Sequence, residues 1–120
     1  MGRSRATAKQ AGASFERQVA DHLRDNLDDR IDRKVRTGAK DCGDIAAVRD
    51  RDGNRVVVEC KNFGGRLLAS EWLKEAQTER DNDAAVIGLV VAKRKGVTNP
   101  GQQWCLMTVD DLIHLLKEKK

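Results

Sequence analysis

Tyrosine is absent from this 120-residue chain, and the aromatic side chains are only Phe15, Phe63, Trp72 and Trp104. A core built from it must be mostly aliphatic. Proline occurs once, in Asn99-Pro100-Gly101, which reads as a turn. Cys42, Cys60 and Cys105 are widely spaced, form no C-x-x-C, and leave one thiol over in any disulfide scheme, which favours a reducing compartment. A zinc site would need four ligands from these three cysteines and His22 or His114, at spacings no familiar site uses. No apolar run has membrane-spanning length, and the polar, basic first ten residues lack the apolar stretch of a signal peptide. The expected location is therefore the cytoplasm. No segment repeats.

Charge is plentiful: 35% of residues are Asp, Glu, Lys or Arg, with a net charge of +4. The basic residues are grouped. Arg3, Arg5 and Lys9 precede any acid, residues 30 to 40 hold five cations against one Asp, and Lys93-Arg94-Lys95 forms a third group. Stripes of this kind suit a polyanion, since each neutralised phosphate releases counterions. Arg33, Lys34, Arg36, Lys40, Lys93, Arg94 and Lys95 are the candidate DNA contacts; a solvated surface is the other reading.

Residues 1 to 12 show no periodicity and read as a disordered basic arm, with residues 13 to 120 as one domain. Ser14 is a candidate N-cap for a helix carrying Phe15, Val19, Ala20, Leu23 and Leu27 at helical spacing. Glu16 falls at the edge of that apolar stripe, an uncommon place for an acid. Strands are expected at 31 to 37, 44 to 48 and 55 to 61, the last two joined as a hairpin around Asp52-Gly53. A helix over 69 to 81 follows, with Trp72, Leu73, Ala76 and Arg80 on one side. The nearly all-apolar stretch 84 to 92 reads as a strand covered on both faces. A last strand at 103 to 109 leads to a helix with Val109, Leu112, Ile113 and Leu116 as its stripe, opened by a Thr108/Asp111 variant of the capping box. The fold class is α/β in the order αβββαββα, a mixed central sheet flanked by helices.

In Val56-Val57-Val58-Glu59-Cys60-Lys61, period two sends Glu59 and Lys61 to one face and Val56, Val58 and Cys60 to the other. Asp44 joins that pair only if the hairpin loop has even length; an odd loop sends it to the reverse face. Phosphodiester hydrolysis needs an attacking hydroxide and relief of negative charge at phosphorus, and hard divalent cations supply both. Magnesium binds through one or two carboxylates, water and phosphate, so Asp44 and Glu59 suffice, with the Cys60 carbonyl as a further ligand. Lys61 would hold the water or the phosphate, and Glu16 a second metal or its water. Alone, Glu-x-Lys reads first as a same-face ion pair on a solvated edge. Gly43 before Asp44, Glu16 on the first helix, and Gly64-Gly65 after Lys61 favour chemistry.

These residues, Gly43-Asp44-Ile45 and Glu59-Cys60-Lys61 after a helix with Ser14-Phe15-Glu16-Arg17, resemble the PD-(D/E)XK nuclease superfamily. The nearest likeness is to archaeal-type Holliday-junction resolvases and their phage-encoded counterparts, over about residues 13 to 109. The resemblance implies a restriction-endonuclease-like core and a magnesium- or manganese-dependent endonuclease, usually a homodimer, cutting branched DNA, in the host cytoplasm if phage-encoded. It places Asp44, Glu59 and Lys61 in the signature, Glu16 as the first-helix acid, and Gln77 as a polar neighbour of the site. Cys42 and Asp41 stand where relatives often have small residues, and no proline precedes Asp44.

Asp41 is a rival to Asp44 if the strand starts early. Asp50, Asp52 and Asn54 open like a calcium loop, but Arg55 and Lys61 stand where that loop needs glycine and glutamate. Trp72, Phe63 and Trp104 could stack on unpaired bases; packing is the favoured role for the two tryptophans, and Phe63 is open. His22 and His114, on helices, are not placed as general bases. A flap or single-strand nuclease, or a non-catalytic nucleic-acid-binding module, are the alternative functions.

Overall fold

The computed structural model describes residues 5–34 and 43–117. Helix α1 spans Arg5–Asn26, starting nine residues before the expected Ser14 cap. The stretch expected to be an irregular arm is thus helical from Arg5. Ala6, Ala8, Ala11 and Ala13, with Lys9 and Gln10, are strong helix formers and carry the helix across Gly12. Phe15, Val19 and Ala20 of α1 are buried against Val56, Val58 and Ile87 as anticipated, with Leu23 partly buried beside them, whereas Leu27 falls past the helix end and is exposed.

Strands β1 (Asp32–Arg33) and β2 (Ile45–Ala46) pair antiparallel, Arg33 opposite Ile45. Residues 35 to 37 of the first expected strand fall outside the described residues. Strand β3 (Val56–Lys61) runs parallel to β4 (Ile87–Ala92), and β5 (Trp104–Leu106) runs antiparallel to β4. Helix α2 (Ala69–Asn82) makes the crossover that a parallel pair requires. The sheet is mixed and covered on both sides: α1 packs on one face, while Trp72 and Ala76 of α2 pack on Val90 and Ala92 on the other. Gly88 lets α2 come close, since a Cβ there would lie 2.5 Å from the Ala76 carbonyl oxygen. The order αβββαββα of a restriction-endonuclease-like core is the one observed.

The hairpin is less regular than expected. Asp50 N–H donates to the Asn54 carbonyl at 2.9 Å, leaving a three-residue loop with Gly53 at φ +85°. In a regular ladder this odd loop would send Asp44 to the face away from Glu59. The ladder, however, breaks. Ala47 has φ +67°, and while Val56 N–H donates to Val48, Asp44 N–H donates to Val58. Four residues of one strand therefore match two of the other, an irregularity of the kind a bulge produces. Loop parity no longer dictates where the Asp44 carboxylate goes.

Helix α3 (Val109–Leu116) starts at Thr108, whose hydroxyl accepts the Asp111 N–H at 3.1 Å. Asp111 does not complete a capping box but accepts the Gly88 N–H at 3.0 Å, on the stretch of β4 that β5 leaves without a partner. The expected apolar stripe of α3 is exposed, Val109, Leu112, Ile113 and Leu116 included.

Candidate active site

The C-terminal half of β3 carries Glu59 and Lys61 to the α2 side of the sheet. Glu59 is only 2% exposed. The Lys61 ammonium lies 3.7 Å from Glu59 Oε1 and donates to both oxygens of Glu75 on α2, at 3.0 and 3.1 Å. One turn further along α2, Glu79 is buried as well, and oxygens of Glu59, Glu75 and Glu79 all lie within 4.8 Å of one another.

Asp44 is buried beside the same strand end, where its Oδ2 accepts the Cys60 N–H at 2.8 Å, the amide that joins Cys60 to Glu59. Gly43, at φ +95°, makes this approach feasible, because a Cβ there would sit 2.9 Å from Val57 Cγ1 and 3.3 Å from the Val58 carbonyl. Glu16 of α1 is half-buried and accepts from Arg33 Nη2 at 3.2 Å. Burial pushes the Cys60 thiol well above its ordinary pKa, and the charges of Asp44, Glu16 and Glu59 push it further. Three elements thus bring three carboxylates within electrostatic range of one residue.

Partial burial lowers the pKa of Lys61, but its hydrogen bonds to Glu75 and the charges of Glu59, Glu75 and Asp44 outweigh that and leave it raised. Lys61 is a cation at neutral pH rather than a proton acceptor. The oxygens of Glu59, Glu75 and Glu79 are hard donors close enough together to share one divalent cation of the magnesium or manganese kind. This arrangement can hold positive charge against a phosphate while keeping an ammonium beside it.

The family model described as "Phage putative PDDEXK endonuclease" matches residues 7–120. The chain belongs to that family. Neither the comparison with curated proteins nor that with solved structures finds a match. Membership of an endonuclease family makes the chain a nuclease. Among the described residues, no helix is long and apolar enough to cross a membrane.

Two residues of this acidic cluster were not singled out from the sequence. Glu79 follows Trp72 and Ala76 at helical spacing, an acid on a buried stripe, which is the same signal that picked out Glu16. Glu75 comes with it at i, i−4. Gln77, expected near the site, is two residues from each, about 200° around the helix from both, and is half-buried.

The expected DNA contacts divide. Arg36, Lys40 and the rival acid Asp41 lie outside the described residues, as does Cys42. Arg33 and Lys34 border an open cleft of about 550 Å³ with Lys9, Arg17 and Glu16, and Arg33 is engaged with Glu16. Lys93 is turned into its own loop, donating to the carbonyls of Arg94 and Val97. Arg94 lies over the Trp104 ring at 5.7 Å, and Lys95 is exposed. Trp72 is buried, in edge contact with Phe63, whereas Trp104 is 36% exposed and does not fill the core.

Proposed function

We propose that this nuclease is a metal-dependent DNA endonuclease acting on four-way junctions as a homodimer. The observation that supports the reading is that Glu59 lies 3.7 Å from the Lys61 ammonium and within 4.8 Å of oxygens of Glu75 and Glu79, while Asp44 accepts the N–H of Cys60, between Glu59 and Lys61 in the strand. Asp44, Glu59 and the Cys60 carbonyl would hold a magnesium or manganese ion, with Glu16 available to a second. Bound there, a divalent cation supplies charge neutralisation at the phosphate and an activated water.

The chain's own residues account for the rest. Lys61 presents a fixed positive charge to the scissile phosphate and offsets the negative charge that grows on it. Glu75 orients that ammonium. The Cys60 amide fixes the Asp44 carboxylate, so that little reorganisation is needed when substrate arrives. Arg33, Lys34 and Lys95, with Arg36 and Lys40, would bind the backbone.

The junction preference rests on the resemblance to resolvases. Homodimer formation is supported by the exposed apolar face of α3. The test is cleavage of labelled four-way junctions, flaps and linear duplexes with magnesium and with chelator. Magnesium-dependent paired cuts in the junction are expected; binding that ignores chelator, with no cutting of any substrate, would refute the reading.

A further inference from the structure

The register of the sheet sets Lys61 opposite Ala92 and Ala92 opposite Trp104. Residues directly opposite one another point to the same face, so Trp104 stands on the Lys61 face in the same row, two strands away. At the usual strand spacing this is about 10 Å. The ring is 36% exposed, an unusual position for one of only four aromatic residues, and the Arg94 guanidinium lies over it at 5.7 Å. Arg94 is itself fixed, its Nη1 donating to the Gln102 carbonyl at 3.0 Å and its backbone N–H to Gln103 Oε1 at 2.7 Å.

We propose that Trp104, with Arg94 beside it, is a stacking site for a nucleobase that has left the helical stack next to the phosphate being cut. The proposal rests on the nuclease reading and deepens it by naming the feature of DNA that the site selects. A base inside a continuous duplex has both faces covered by its neighbours and offers nothing to an exposed indole. A base at a branch point or in a single strand offers a free face, and every base has one, so the contact selects structure rather than sequence. The guanidinium, with donors still to spare, adds a charge for the flanking phosphate. Trp72, at 5% exposure, is unsuited to such a role.

The test is titration of the full chain in calcium with a single-stranded oligothymidylate, an immobile four-way junction and a duplex hairpin closed at both ends by non-nucleoside linkers, read by tryptophan fluorescence and by affinity. In Trp72→Phe, Trp104 is the only remaining indole, and its emission should be quenched by the oligonucleotide and the junction but not by the hairpin. Trp104→Ala should bind the oligonucleotide roughly 5- to 150-fold more weakly, the range for loss of one stacked base. Trp104→Phe should restore most of that affinity, and hairpin binding should change less than about twofold. Unchanged affinity of Trp104→Ala for oligonucleotide and junction, or equal quenching by the hairpin, would overturn the proposal. These readouts are independent of strand cleavage, so a chain that shows the quenching without cutting would fail the nuclease reading alone.

Discussion

Lys61 sits among Glu59, Glu75 and the charge of Asp44, and its raised pKa keeps it an ammonium throughout the neutral range. An ammonium so placed acts by charge, and its removal should be felt in the chemical step. Lys61→Ala is expected to slow single-turnover cleavage of a junction by about 10²- to 10³-fold, the effect of losing one preorganised donor. Binding measured in calcium should change little by comparison. The shared face of Glu59 and Lys61 was legible in the sequence because period two is a local signal, as are a Gly-Asp strand entry and an acid on an apolar stripe. Glu75 and Glu79 were missed because α2 was read by its apolar members and Arg80, which hid the buried acid beside them. Trp104 was misread for a different reason. Packing was the expected role, but only strand pairing reveals that Trp104 lies on β5 at the margin of the sheet, 36% exposed.

Among the elements, order and type were readable while bounds were not. Helix α1 ran past its expected cap because alanines upstream continue a helix that nothing stops. Strand β2 shrank to two residues because Ala47 takes a positive φ, which no local preference of alanine foretells. Helix α3 depends on a contact invisible in sequence, the buried Asp111 carboxylate that receives Gly88 N–H and lies 3.3 Å from Arg80 Nη1. Asp111→Ala would leave that buried amide unsatisfied and should cost about 1–3 kcal/mol of stability, read as a shift in the urea midpoint. Gly88→Ala should also destabilise, by about 1–3 kcal/mol, because its Cβ would press on the Ala76 carbonyl and force α2 away from β4. A Gly88→Ala protein as stable as the parent would mean that α2 is free to shift.

For the whole molecule, the two faces of the sheet have separate tasks. The α2 face carries the charged cluster. The opposite face holds an apolar groove of about 470 Å³ between α1 and the sheet, lined by Leu23, Leu27, Val58, Leu89 and Val91, with Leu115 of α3 at its border. The exposed Leu112, Ile113 and Leu116 make the proposed dimer testable: joint replacement of Ile113 and Leu116 by Glu should shift sedimentation from two chains toward one. A parent chain that sediments as a monomer at every concentration would remove the dimer from the account. The central claim is that the carboxylates gathered around Lys61 form a metal-dependent catalytic centre. Its most direct measurement is single-turnover cleavage of a four-way junction across a magnesium titration, comparing the parent with Asp44→Asn and Glu59→Gln. The account predicts a loss of several orders of magnitude in both variants, with junction binding in calcium retained. Parental rates in either variant at saturating magnesium would contradict it.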